Sequence, residues 1–310
     1  MKAAILGSSG FVGKNLKLAI EKKGGFEKIL NISRSEGVDL LDYNLSKSAI
    51  EDFAPDIIFN LASHGGSLHY VTANAGQVIS DNLCMIINLY NIVKELKNLK
   101  NIIIINPISN CSYPAYSSVQ EEKAWLMGDV HDSVFSFAGG KRSLYYVSGS
   151  YYMQYGIQSA NLIFPNTYGP NDSSDPNKTH ALNGMIIRMI KAQKNKEKEF
   201  VVWGSGKPIR EWIYVGDFCN LLLMTLKTNR KLIYPVNMGQ NKGYSIKETV
   251  YLIKKICGYN GNIVFDMEFP DGDPVKILDD RQFKNLFGNY NFYDHEQGIA
   301  DTVDYYRGIL

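Results

Sequence analysis

Three glycines spaced three apart, in Gly7-Ser8-Ser9-Gly10-Phe11-Val12-Gly13, stand between a short apolar run and a helical pattern. Glycines there permit a tight turn and let the backbone approach a pyrophosphate. The N-terminus of the following helix adds free N–H groups and a positive dipole end. A glycine motif alone is weak evidence. Its place directly behind the first strand points to dinucleotide binding, with Ser9, Phe11 and Val12 in the turn. The second apolar run ends Ile32-Ser33-Arg34-Ser35. An NAD site usually carries an acid there for the ribose diol, whereas an arginine suits a 2′-phosphate, so Arg34 favours NADP(H). Asp39-Leu40 follow a few residues on, where they could meet the adenine edge. Farther along, Cys111 lies beyond an apolar strand among Ser109, Asn110 and Ser112. Free cysteines are commonly buried fillers. This company is polar, and ligands of such sheets bind beyond the carboxyl ends of the strands.

Alternating strands and helices must position these residues. Residues 3–6, 28–33, 56–62, 101–106 and 159–164 read as strands. A helix starts at Phe11, with apolar Val12, Leu16, Ala19 and Ile20, and stops at Gly24-Gly25. Further helices span about 77–96, 141–155 and 182–194. Such alternation implies crossovers and a parallel sheet. The fold class is therefore α/β, a doubly wound parallel (Rossmann) sheet rather than a closed barrel, with a smaller α+β substrate lobe. Residues 1–164 form the dinucleotide-binding domain and 165–310 the second lobe, with part of 211–240 returning to the first. The run 191–199, KAQKNKEKE, reads as a solvated helix end.

The composition narrows the function. Lys and Arg number 33 against 31 Asp and Glu, a net charge of +2, which argues against a nucleic-acid binder working through bulk positive charge. Four cysteines without paired spacing rule out a disulfide scaffold and suggest a reducing cytoplasm. No CxxC or HxxxH pair suggests a metal site. The longest pure aliphatic run, 102–105, is far short of the ~20 residues of a spanning helix, so no membrane association is expected.

The chain resembles the extended short-chain dehydrogenase/reductases that act on nucleotide sugars, and within them the GDP-L-fucose synthase family of epimerase-4-reductases. The resemblance covers nearly the whole chain. It rests on the glycine turn, 60–66 (NLASHGG), 109–114 (SNCSYP), 165–172 (PNTYGPND), His180, 202–211 (VWGSGKPIRE) and 271–279 (DGDPVKILD). It implies that Leu61, Ala62, Lys141, Pro165 and Asn166 face the cofactor, and that Arg188, Arg210 and Lys276 hold a substrate diphosphate. Trp203 would pack on a base or sugar, with Asn166 at the sugar as well. It further implies that Cys111 and His180 form the acid/base pair beside a C4 ketone, and that the chain is a homodimer. The reductase step of the family uses Ser, Tyr and Lys. Ser109 and Lys141 match, but the family's YxxxK begins here with Phe137. That residue reads as an engineered hydroxyl deletion in intact machinery, or else as a natural departure. The expected activity is epimerisation and NADPH-dependent 4-reduction of a 4-keto-6-deoxy GDP-sugar or a related deoxyheptose, with the reductive step impaired. The alternatives are an epimerase or reductase alone, and a silent NADP- and nucleotide-sugar-binding regulatory subunit.

Overall fold

The computed structural model describes residues 1–117, 120–227, 232–269 and 271–310. The first half runs β1 (Lys2–Leu6), α1 (Phe11–Lys23), β2 (Lys28–Ile32), α2 (Tyr43–Phe53), β3 (Ile57–Asn60), α3 (Leu68–Ala73), α4 (Ala75–Glu95), β4 (Ile103–Ser109), α5 (Phe135–Tyr155) and β5 (Gln158–Phe164). The second continues β6 (Asn166–Tyr168), α6 (Ala181–Lys194), β7 (Glu199–Trp203), β8 (Ile209–Arg210), β9 (Trp212–Tyr214), α7 (Val215–Thr225), β10 (Leu232–Asn237), β11 (Tyr244–Ser245), α8 (Ile246–Cys257), β12 (Asn262–Asp266), β13 (Val275–Lys276), α9 (Arg281–Phe287) and α10 (His295–Ile309).

Ala3 to Leu6 are fully buried, as expected of a central parallel strand covered on both faces. The main sheet has the order β2-β1-β3-β4-β5-β10 and is parallel throughout. It is the doubly wound sheet the sequence predicts. The strand order reverses between β1 and β3, and the crevice outside the carboxyl ends at such a point is where ligands bind. One apolar core lies between the sheet, α1 and α7, another between the sheet and α2, α4 and α5. A third is built by α6, α8 and α10. Around it lie a three-stranded sheet β11-β8-β13 and the parallel pairs β7–β12 and β6–β9. Within 211–240, α7 packs into the first core and β10 pairs with β5. Residues 228–231 of that stretch lie outside the described residues.

Two elements differ from the sequence reading in ways that matter for the site. β4 continues through Pro107 to Ser109, because β3 has ended by then and Pro107 pairs only with β5. α5 begins at Phe135 rather than near 141, so residues 137 and 141 share one helix, one turn apart. Gly139-Gly140 suggests a break in sequence. In the fold, a Cβ at Gly140 would come within 3.2 Å of Asn82, so glycine there lets α5 lie close on α4. α2 was not foreseen, although the Asp42 carboxylate that accepts the Leu45 amide is a cap visible in sequence.

Candidate active site

The chain leaves β1 at Gly7 with φ of 82°, a conformation that L side chains rarely adopt. A Cβ at Gly7 would sit 2.8 Å from the Ala62 amide nitrogen, and one at Gly13 would run into the Gly7 carbonyl oxygen. The turn is thus closed against Leu61-Ala62 at the end of β3. No side chain caps α1, so its first amides are left to an external acceptor, and the buried Ser8 hydroxyl has no partner among the described residues. Such a cradle fits a dinucleotide pyrophosphate. Ser9 lines the turn, while Phe11 and Val12 are half-buried against the first core.

Arg34 follows β2 directly, exposed, and makes no ion pair among the described residues. The Asp39 carboxylate accepts the Leu41 amide at 3.0 Å. The Leu40 side chain is buried in the second core, so only its backbone could meet an adenine.

Beyond β4, Cys111 sits in a single helical turn whose amide donates to the Ser109 hydroxyl at 3.4 Å. Burial pushes the Cys111 thiol up, against the Ser109 hydroxyl and the charges of Lys276 and Lys141, which pull it down. The thiol therefore holds its proton at neutral pH. Burial draws the Lys141 ammonium down to about 8, with Cys111 opposing. Lys141 Nζ stands 5.5 Å from the centre of the Phe137 ring. A Cβ at Gly65 would lie 2.9 Å from the far edge of that ring. The end of β4, the first turns of α5 and the loop after β3 therefore converge.

His180 caps α6, and Asp172 orients it. Asp172 Oδ2 lies 3.0 Å from His180 Nδ1 and accepts the His180 amide at 2.9 Å and the Asn183 amide group at 2.8 Å. Burial works to raise the Asp172 carboxyl, but these bonds and the His180 charge outweigh it and hold it below the ordinary aspartate range. The imidazole is half exposed, with Nε2 left for a ligand. Its ring centre is 5.2 Å from that of Phe11, which ties His180 to the glycine turn. Pro165 is buried behind β5, and the Asn166 amide donates to the Glu211 carbonyl at 3.2 Å.

Two of the three expected diphosphate cations meet. Arg210 and Lys276 are register partners on β8 and β13. Asp273 links them, its carboxylate 2.8 Å from Lys276 Nζ and its carbonyl accepting from Arg210 at 2.7 Å. Contacts tie Arg188 instead to β7, its guanidinium 4.9 Å from the centre of the Phe200 ring and bonded to the Val201 carbonyl. Trp203 is exposed and stacks on Phe269 at 4.8 Å. Sequence reasoning missed Asp172 and Asp273, although both stand inside motifs it singled out. Among the described residues no cluster of three His, Cys, Asp or Glu could hold a metal, and no helix is long and apolar enough to cross a membrane.

The model of the NAD dependent epimerase/dehydratase family matches residues 3–239. GDP-L-colitose synthase of Yersinia pseudotuberculosis is 28% identical over 313 residues, covering 99% of this chain and 98% of its own length. GDP-L-fucose synthase of Escherichia coli (strain K12) is 27% identical, with 97% and 95% covered. The crystal structure of a GDP-L-fucose synthetase from Naegleria fowleri bound to NADP superposes with a TM-score of 0.89 at 26% identity. That match covers 99% of this chain and 92% of the other. The family match starts in β1 and ends just past β10, so the chain belongs to the NAD dependent epimerase/dehydratase family, as an extended short-chain dehydrogenase/reductase resembling GDP-L-fucose synthase.

Proposed function

We propose that this protein is an NADP(H)-dependent epimerase/4-reductase acting on a 4-keto-6-deoxy sugar carried on GDP, or on a related GDP-deoxyheptose. One observation carries the reading: Ser109, Cys111 and Lys141 gather at the carboxyl end of β4, and His180 is held on Asp172 beside the glycine turn. Residues 7–13 and 61–62 would seat the pyrophosphate, Arg34 the 2′-phosphate, and Lys141, Pro165 and Asn166 the nicotinamide end. The bound cofactor supplies hydride for the ketone. Arg210 and Lys276, with Arg188 farther along, hold the substrate diphosphate through charge-assisted bonds. Trp203 offers a flat face to the base or sugar.

Proton exchange next to a ketone needs one acid and one base. The Cys111 thiol enters with its proton, and His180 Nε2, oriented through Nδ1 by Asp172, takes the opposite part. Reduction leaves an alkoxide at C4 that needs a proton, and Phe137 has none to give. The reductive step is therefore slower than with tyrosine at 137. Phe137 also favours a second reading, a binding-only subunit without turnover. For assembly, the reading includes a homodimer through α4 and α5, which leave Leu83, Ile87, Tyr146 and Met153 exposed.

The test gives the chain a GDP-4-keto-6-deoxy sugar in deuterated water. Deuterium should enter at C3 or C5 without cofactor. It should cease to do so in Cys111→Ser and fall steeply in His180→Asn. With NADPH present, Phe137→Tyr should raise the oxidation rate, because it restores a general acid at that position. No deuterium uptake with any base attached, together with no gain from the tyrosine, would replace this reading with the binding-only one.

A further inference from the structure

A titratable cluster unused by this reading lies in the loop between β3 and α4. His64 Nδ1 is 2.7 Å from Asp81 Oδ2 on α4, and His64 Nε2 is 2.8 Å from the Tyr70 hydroxyl on α3. Asn82 fixes the His64 backbone from both sides, accepting its amide at 2.9 Å and donating to its carbonyl at 2.8 Å. Carboxylate, imidazole and phenol form one chain, and the imidazole keeps about a fifth of its surface in solvent.

This chain borders the candidate site on two sides. Gly65 lies against the Phe137 ring. Gly66, the next residue, lies against the Tyr70 ring, where a Cβ would be 2.7 Å from Cδ1 and 2.6 Å from the Asn177 carbonyl oxygen. The Ser67 amide donates to that carbonyl at 2.8 Å, three residues before His180. Two successive residues without side chains thus set the Phe137 ring and the Tyr70 ring against adjacent points of the backbone, beside the loop that carries His180. Side chains at 65 and 66 would wedge both rings away.

We propose that Tyr70 is the proton donor of the reductive step in this chain, with His64 and Asp81 as its relay, replacing the phenol that Phe137 lacks. The proposal rests on the reductase reading above. In the donating state His64 is an imidazolium, one N–H on Asp81 and the other on the Tyr70 oxygen, so the phenolic O–H is free to reach the ketone. Hydride arrival at C4 breaks the carbonyl π bond and leaves an alkoxide. The alkoxide takes the Tyr70 proton, and the phenolate takes the proton on His64 Nε2. Asp81 keeps its bond to Nδ1, and water restores the imidazole proton at the exposed edge. One hydride and one proton convert the ketone to an alcohol, and the reduced nicotinamide is oxidised.

The test compares four proteins by NADPH oxidation with a GDP-4-keto-6-deoxy sugar: the chain itself, Tyr70→Phe, Phe137→Tyr and the double variant. Tyr70→Phe should lose at least ~10²-fold, the low side of what a general acid is worth. The double variant should recover the rate of Phe137→Tyr, which a merely structural role for Tyr70 would not allow. His64→Gln should lose as Tyr70→Phe does. In the cofactor-free protein, Tyr70→Phe should shift the ring-nitrogen NMR signal of His64, whose Nε2 loses its partner. Equal rates for the chain and Tyr70→Phe, a double variant that stays slow, or an unmoved His64 signal would each overturn the assignment. If neither the chain nor Phe137→Tyr oxidises NADPH, the reductase reading falls and the donor assignment falls with it.

Discussion

Glu211 closes the motif 202–211 and is fully buried. Its two carboxylate oxygens accept the backbone amides of Gln240 at 2.5 Å and Leu278 at 2.7 Å, joining the link between β8 and β9 to the chain after β10 and to the chain after β13. Burial outweighs these bonds and pushes its carboxyl from 4.5 up to about 7. The folded chain then holds this proton more tightly than the unfolded chain does. Stability should therefore fall as pH rises from 4.5 to about 7, by roughly 3 kcal/mol from this group, and level off above. Glu211→Gln should flatten that limb while lowering stability throughout, because one amide oxygen cannot accept both backbone donors. Urea titrations of both proteins across that window check it, and parallel pH profiles would show that Glu211 stays ionised. The same residue scale explains what sequence could not supply for the candidate site. Cys111 and His180 stand out by type, but Asp172 and Asp273 are ordinary loop carboxylates until the fold aims them. Asp172 reaches His180 only because the loop from 172 to 180 doubles back on itself.

At the scale of elements, the pairing of β8 with β13 makes a clamp from residues 66 positions apart in the chain, Arg210 and Lys276. Each strand is two residues long and gains order from its neighbour, so the cations stand side by side without long side chains having to search for each other. Arg210→Ala and Lys276→Ala should each weaken GDP-sugar binding by roughly 10–150-fold, the worth of one charge-assisted bond, and leave NADPH binding intact. Calorimetry with both ligands decides this. A loss confined to NADPH would place the clamp at the wrong ligand. α5 makes a related point. Its Lys141 and the 137 position lie one helical turn apart, a relation the i, i+4 spacing already contains. The start of that helix at Phe135 was hidden, because paired glycines are poor helix formers and only the closeness of α4 explains them.

At the scale of the molecule, Leu83 and Ile87 on α4 and Tyr146 and Met153 on α5 leave an apolar face on the two helices that cover the sheet beside the candidate site. In the proposed dimer this face is the contact, since an exposed apolar face favours association. Ile87→Glu combined with Met153→Glu should convert a dimer to a monomer in sedimentation velocity while the far-UV spectrum stays unchanged. A monomeric natural chain, or a variant that remains dimeric, would remove α4 and α5 as the interface. The order of the sheet sorts what the sequence determined from what it did not. Strands and helices alternate because apolar runs and helical periods are local, so the α/β class and the glycine turn between β1 and α1 could be read from residues a few positions apart. The entry of β10 beside β5, some 70 residues later, could be suspected but not registered from sequence, because it depends on which edge of the finished sheet remains open. The Asp81–His64–Tyr70 chain and the Lys276 charge beside Cys111 were invisible for the same reason. A hydrogen bond or a Coulomb interaction needs groups within a few ångströms, and only tertiary packing brings residues so far apart along the chain to that distance.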